Sequence, residues 1–388
     1  MKIAIVGNYG NDNNGDEAIL SGLITQLGKC GIEKKDITVF SNNPINTTER
    51  IRVKSIPLLI KNKSKLLNII NTIFHHWKVV GSFDAIIIGG GGLLMDLYTR
   101  DLPLYSTIGI FGKLKKKKIL IYGVGVGPLR TTLGKFLVRI ISNISVAVSV
   151  RDQNSKELLN SLGINKEVLV IGDPAFSNDT PIYSKNKNIK TIGVTAVPYF
   201  SKNYWPETNK DIYDNYISGM ASNIDKLTEN YEVTIKFFST KYPEDVEVTK
   251  DIYKKLKNTD RVELVTENMK PTELIKFISE LDLVIGTRLH SLILAVLTET
   301  PVIGVEYHHK VRDFMNESNL LDQSVPIGEL SEYTDLFKRK FESLSLDMRQ
   351  TEDVSSKLRK YYMDIEKRGI TQINKNIMGV DYDKNSSC

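Results

Sequence analysis

The chain has 388 residues, 41% hydrophobic and 25% charged, with a formal net charge of +6 at pH 7. That length points to two domains, and that balance to a globular α/β or similar protein with sizeable cores. The basic bias is too mild for a nucleic-acid partner, two cysteines give neither a disulfide framework nor zinc spacing, and no apolar run approaches the ~18 residues of a membrane-spanning helix. The apolar stretch behind Met1-Lys2 is too short for a signal-peptide core, so a cytoplasmic protein is expected.

Ile3-Ala4-Ile5-Val6 predicts a buried strand, followed by a polar, glycine-rich loop over 7–17 and a helix from about Asp16. The loop can present backbone N–H groups and a helix N-terminus to an anion. It lacks the G-x-G-x-x-G of a dinucleotide site and the Gly-Lys-Ser/Thr of a P-loop. Asn14 and Asp16 stand as acceptor-binding or loop residues, and Asp16 reads best as the helix N-cap. An apolar run at 37–40 predicts the next strand. Over 65–77, Leu66, Ile69, Ile70, Ile73, Phe74 and Trp77 recur at helical spacing. Core packing against a sheet is the first expectation there, and an amphipathic contact with membrane or a lipid-linked acceptor, helped by the surrounding lysines, is the second.

A strand at 85–88 runs into four consecutive glycines at 89–92. Glycine costs about 0.5–1 kcal/mol relative to alanine within regular elements. The usual return is a backbone that a ligand approaches closely, which makes Gly90, Gly91 and Gly92 candidates for holding an anionic donor. The strand at 119–122 leads into Gly123-Val124-Gly125-Val126-Gly127-Pro128, where Pro128 breaks the dinucleotide fingerprint; Gly125 is kept as a loop or acceptor contact. Helical spacing covers 132–143 and 153–162, with strands at 146–150 and 168–171. Arg151, at the end of the first of these strands, either clamps a carboxylate or phosphate with its planar fork or pairs with Asp152 on the surface.

The polar stretch 178–190 reads as a linker, and a second alternating series follows at 191–197, 233–237, 262–265, 283–285 and 302–305. A helix over 271–281 starts at Pro271, a favoured first-turn position. Ile285-Gly286-Thr287-Arg288-Leu289-His290-Ser291 places Arg288, a donor-binding candidate, and His290 at a strand end, where an imidazole can exchange protons near neutral pH. A buried histidine bonded to backbone is the other reading. Lys310 follows the strand at 302–305 and either holds an anionic group or is a solvated surface charge. Strand–helix alternation in two series predicts two Rossmann-like, doubly wound domains facing a cleft: 1–177 and 191–381, with a disordered tail at 382–388. Sheets of this kind bind ligands beyond the carboxyl ends of their strands, where every candidate above lies. No metal-ligand cluster or glycosidase carboxylate pair is present in the sequence, so neither a metal nor a cofactor is expected.

Gly15-Asp16-Glu17, the 89–92 glycine run, Ser149-Val150-Arg151-Asp152, Gly172-Asp173-Pro174-Ala175 and Thr287-Arg288-Leu289-His290 occur in the same order as in the polysaccharide pyruvyl transferases, and the chain resembles that family from its start to about Phe314. The resemblance implies the two-Rossmann glycosyltransferase B fold, with phosphoenolpyruvate as co-substrate and a sugar acceptor that is lipid-linked or nucleotide-linked. It implies ketal formation with release of phosphate, Arg151 and Lys310 on the donor's anionic groups, and His290 as the acid–base residue. His308 and His309 receive no role from it. The competing readings are a nucleotide-sugar glycosyltransferase and a non-catalytic sugar- or nucleotide-binding protein. A peripheral station at the inner membrane face follows only if the acceptor is lipid-linked.

Overall fold

The computed structural model describes residues 1–97, 100–181, 188–202, 204, 205 and 207–380. Residues 182–187 of the expected linker and the expected tail at 382–388 lie outside them. The chain divides into two compact units. The first comprises Met1–Asn11, Asp16–Asn178 and Tyr362–Cys388, the second Asp12–Gly15 and Asp179–Tyr361. This differs from the sequence expectation in two places: the second half of the last long helix belongs to the first unit, and four residues of the first loop belong to the second.

The first unit is a seven-stranded parallel sheet of β1 (Ile3–Val6), β2 (Ile37–Ser41), β3 (Lys54–Pro57), β4 (Ala85–Gly89), β5 (Lys118–Val124), β6 (Ala147–Val150) and β7 (Val168–Val170), in the order β3-β2-β1-β4-β5-β6-β7. Its central strands are near-continuous Ile and Val because helices cover both faces. Ile3 pairs with Ile37 on one side and Ala85 on the other, and all three are fully buried. The helices are α1 (Asn14–Lys29), α2 (Pro44–Ile51), α3 (Lys65–Val80), α4 (Asp101–Leu114), α5 (Thr132–Ile144) and α6 (Gln153–Ser161). One core cluster lies under α4, α5 and α6, and the other joins α1 to Ile373 and Ile377 near the chain end.

The second unit repeats the plan with β8 (Thr191–Val194), β9 (Thr234–Phe237), β10 (Val262–Leu264), β11 (Leu283–Gly286), β12 (Val302–Glu306) and β13 (Ser324–Pro326), in the order β10-β9-β8-β11-β12-β13. Its helices are α7 (Lys210–Asn230), α8 (Glu244–Tyr253), α9 (Pro271–Ser279), α10 (Leu289–Leu297), α11 (His309–Glu317), α12 (Leu336–Leu346) and α13 (Met348–Ile373). Both sheets reverse direction beside their first strand, between β1 and β4 and between β8 and β11. Such switch points are where doubly wound sheets place ligands.

Three sequence expectations change. The strands β3 and β13 were not anticipated, because edge strands need no apolar run and these two carry Lys, Ser and Pro. The first helix starts at Asn14, so Asp16 sits in its first turn rather than at its cap. Helix α3 does not pack its apolar stripe on the sheet: Thr72, His76 and Val80 face inward and the large apolar side chains face out.

Candidate functional site

Chemistry-bearing side chains gather at the carboxyl ends of the strands in each unit. In the second unit, β11 is followed at once by Thr287, whose N–H donates to Thr195 Oγ1 (3.0 Å) and whose hydroxyl donates to the Thr195 carbonyl (3.1 Å). Ser291 Oγ closes this buried network, 3.1 Å from Thr195 Oγ1 and donating to the Arg288 carbonyl at 2.6 Å. The strand end and the first turn of α10 are thereby locked, which fixes where Arg288 and His290 emerge.

Arg288 is held in a buried ion pair. Its Nε donates to Asp245 Oδ1 and Oδ2 at 3.1 and 3.2 Å, and its Nη2 to Oδ1 at 2.5 Å. Asp245, fully buried in the first turn of α8, also accepts from the Thr240 and Lys241 N–H groups. Desolvation works against the guanidinium charge, but the Asp245 carboxylate outweighs it and holds Arg288 well above its ordinary pKa. The remaining Nη1 lies 3.3 Å from Tyr204 Oη, and the Tyr204 ring carries Lys241 Nζ 4.3 Å from its centroid. Charge-assisted, bidentate geometry of this kind gives a guanidinium a fixed orientation.

His290 lies in the first turn of α10, packed face to face with the first loop. A Cβ added to Gly15 would come within 2.3 Å of His290 Nδ1 and 2.5 Å of Cγ. Only glycine lets the ring lie there. The loop is tied down around it: Asn14 N–H donates to the Thr240 carbonyl (2.7 Å), Tyr242 N–H to the Asp12 carbonyl (2.9 Å), and Asn268 Nδ2 to Asp12 Oδ1 (3.0 Å). Asn14 and His290, far apart in sequence, therefore share one neighbourhood. Lys310 sits in the first turn of α11, where its backbone N–H donates to His308 Nδ1 at 3.3 Å. His308 is thus the helix cap, and burial, His309 and Lys310 press its pKa down to about 4.

In the first unit the glycine-bearing ends of β4 and β5 converge with the Arg151 end of β6. Gly125 N–H donates to the Gly91 carbonyl at 2.7 Å, and a Cβ on Gly125 would lie 3.2 Å from Arg151 Nη2 and 3.5 Å from Gly92 Cα. Gly90 and Gly91 adopt φ of +75° and +70°. A Cβ on Gly90 would meet Ile19 Cγ2 at 2.0 Å, and one on Gly91 would meet Asp16 Oδ1 at 3.1 Å. Backbone conformation and close approach to α1 thus account for glycine at both positions. Asp16 accepts from Asn8 Nδ2 at 2.9 Å, and Glu17 from Gly10 N–H at 2.8 Å, so the Asp-Glu pair braces the loop from inside the helix.

Arg151 is pinned as Arg288 is. Its Nε donates to Asp152 (3.2 Å) and its Nη1 to Asp173 (3.4 Å), with the side chain only 10% exposed. Burial opposes the charge, and the two carboxylates raise its pKa regardless. Neither reading of Arg151 in the sequence anticipated Asp173 as a partner. The same holds for Asp245, Thr195 and Tyr204 around Arg288. Asp245 had one available signal: it lies in the first turn of the helix that follows a strand.

A family model described as polysaccharide pyruvyl transferase matches residues 13–309. The chain is 24% identical over 380 residues to the amylovoran biosynthesis protein AmsJ of Erwinia amylovora, with 85% of this chain and 89% of that protein covered. Among solved structures it is similar to S. aureus MnaA, seen with UDP, at a TM-score of 0.65 and 16% identity, covering 98% of each chain. It is also similar to Anabaena Alr3699/HepE, seen with UDP and glucose, at a TM-score of 0.62 and 12% identity, covering 98% of this chain and all of that one. At these identities the structural likeness establishes the fold, two Rossmann-like parallel sheets of the glycosyltransferase B type, and not the reaction.

Proposed function

The chain belongs to the polysaccharide pyruvyl transferase family, and on that premise we propose that it moves a pyruvyl group from phosphoenolpyruvate onto a sugar of a cell-surface polysaccharide or its lipid-linked precursor. The family membership and the amylovoran-biosynthesis relative support the polysaccharide setting. The observation that carries the catalytic assignment is His290 at the start of α10, its ring laid on Gly15 and its neighbour Arg288 immobilised by Asp245.

In this reading His290 protonates C3 of the enol, and positive charge develops at C2. One sugar hydroxyl bonds to C2 and returns a proton to the imidazole. The second hydroxyl then forms its own bond to C2 as the C2–O bond to phosphate breaks, and its proton passes to the departing phosphate oxygen, so that hydrogen phosphate leaves and a ketal closes. A positioned acid of this kind contributes about 10²–10⁴ in rate. The donor carries a carboxylate and a phosphate, and Arg151, Lys310 and the backbone at Gly90, Gly91 and Gly92 are assigned to them. No metal or cofactor enters the scheme. No helix among the described residues is long and apolar enough to cross a membrane, so a lipid-linked acceptor would be met at the bilayer surface.

Thermal stabilisation by phosphoenolpyruvate, measured beside UDP, UDP-sugars and NAD, tests the donor. A ligand at about 100 times its Kd stabilises the native state by about 2.7 kcal/mol. Stabilisation by phosphoenolpyruvate that is lost in Arg151→Ala supports the proposal. Stabilisation by UDP or a UDP-sugar alone overturns it in favour of glycosyl transfer.

A further inference from the structure

Helix α3 is built inside out. Leu66, Leu67, Ile69, Ile70, Ile73 and Phe74 are exposed, as is Trp77, at 42–71% of their full surface. Its inward side carries the polar Thr72 and His76, with Val80 the one fully buried apolar side chain at its end. His76 Nε2 donates to the Leu58 carbonyl at 2.9 Å, Thr72 Oγ1 accepts from Ile60 N–H at 3.0 Å, and Asn68 accepts from Asn62 N–H. These bonds fasten the helix to the segment after β3 without using its apolar stripe. Helices that cover a sheet ordinarily show the opposite arrangement. A cavity of about 710 Å³ adjoins the stripe, lined by Ile60, Ile69, Ile73 and Leu104 together with Lys61, Lys65 and Arg100.

The charge around this face is mostly positive, and Asp101, an acid beside it, is paired with Arg100 at 3.1 Å. Residues 51–83 contain six basic side chains and no acidic one, and residues 102–151 contain nine and none. Lys61, Lys63, Lys65, Lys78, Lys113 and Lys116 are exposed along or beside α3 and α4. Lys115 Nζ sits 4.4 Å from the centre of the Trp77 ring, and Phe111 meets the same ring edge-on at 5.1 Å. A tryptophan held this way, between an apolar stripe and lysines, has the composition of a side chain that settles at a lipid headgroup boundary.

We propose that α3 is a membrane-docking helix, which lies on an anionic bilayer with its apolar stripe among the acyl chains and its lysines on the headgroups. The charge decides between occupants. Closed dimers bury the same patch on both copies, which would bring two lysine collars together. The polar chain end, Asp381–Cys388, has no apolar segment to lay on the stripe. An anionic lipid surface satisfies both the stripe and the collar, each basic residue near it adding to the attraction. The proposal deepens the reading of a lipid-linked acceptor and rests on that reading for its purpose alone.

The test uses the full chain and vesicles without substrate, so its failure leaves phosphate release from phosphoenolpyruvate untouched. Vesicles of phosphatidylcholine with about 30 mol% phosphatidylglycerol should carry the protein in flotation, pure phosphatidylcholine should carry much less, and added salt should weaken the binding. In a Trp205→Phe background, Trp77 emission should shift to the blue. Ile73→Glu with Phe74→Glu, both at exposed positions, should lower the partition at least about tenfold with an unchanged circular dichroism spectrum. No flotation on the anionic vesicles, or undiminished flotation of the double variant, overturns the proposal. So does a wild-type dimer that the double variant dissociates, in the absence of vesicle binding; that outcome assigns the face to a second copy.

Discussion

Gly15→Ala should separate catalysis from folding. Gly15 is the second residue of α1, where alanine is preferred by about 1 kcal/mol on helix propensity. The new Cβ would nevertheless stand 2.3 Å from His290 Nδ1, 2.5 Å from Cγ and 2.8 Å from Cβ, against ordinary contact from 3.4 Å. Because His290 Cβ is itself too close, turning the ring is not enough, and the imidazole must retreat by about 1 Å. A displacement of about 1 Å at a reacting group can cost about 100-fold in rate. Overpacking of about 1–3 kcal/mol, set against the propensity gain, leaves a modest net loss of stability. Under the proposed reaction, phosphate release from phosphoenolpyruvate in the presence of an acceptor-sugar extract measures the first effect and thermal unfolding the second. If the loss runs through the imidazole, Gly15→Ala should cost little more in a His290→Ala background. A Gly15→Ala enzyme within a few-fold of wild type, or one whose loss persists undiminished without His290, would refute the reasoning.

Asp245→Asn keeps the volume but strands the buried Arg288 charge, so a loss of about 3–5 kcal/mol is expected in denaturant unfolding, with partial recovery in Asp245→Asn/Arg288→Met; an unchanged midpoint in the single variant would contradict it. Gly90→Ala forces alanine into φ of +75° with a Cβ 2.0 Å from Ile19, and a loss of about 2–4 kcal/mol should appear as a lower unfolding midpoint. Burial holds His76 down to about 4, below the ~6.5 of an unfolded histidine, so its contribution is complete above pH 6.5 and is lost as pH falls toward 4. At pH 5 about 2 kcal/mol should be gone. Denaturant titration followed by Trp77 in Trp205→Phe reads this in the first unit, and the drop from pH 7 to pH 5 should shrink in His76→Gln.

The strands were legible in the sequence wherever burial on both faces demands a continuous apolar run, as in β1, β4 and β11. They were illegible at the edge strands β3 and β13, whose Lys, Ser and Pro leave no apolar run, whereas the edge strands β7 and β10 kept one and were read. Gly15 and His290 were each visible as candidates, but their contact was not. Proximity across 275 positions follows from tertiary packing, and no local periodicity encodes it. The burial of α3 was misread for a related reason: helical spacing reports that an apolar stripe exists, not what covers it. Its inward anchors, Thr72 and His76, are polar residues that a hydrophobic pattern discounts.

The two arginines raise a question of charge that the geometry answers. Arg151 commits Nε to the half-buried Asp152 and Nη1 to the buried Asp173, and Arg288 commits Nε and Nη2 to the buried Asp245, so neither adds a mobile cation to its strand end. Under the proposed reaction they act as fixed donors rather than counterions. A guanidinium already oriented by Asp245, or by Asp152 and Asp173, pays no reorganisation when charge develops beside it, which is the property that makes preorganised donors effective. Lys310 in the first turn of α11 is the other side chain assigned to a donor bearing both carboxylate and phosphate. Lysine there is a point charge beside a helix N-terminus, where backbone N–H groups also favour an anion. Arg→Lys at either arginine should therefore be costly, since lysine cannot satisfy two carboxylate contacts and still present a directed donor.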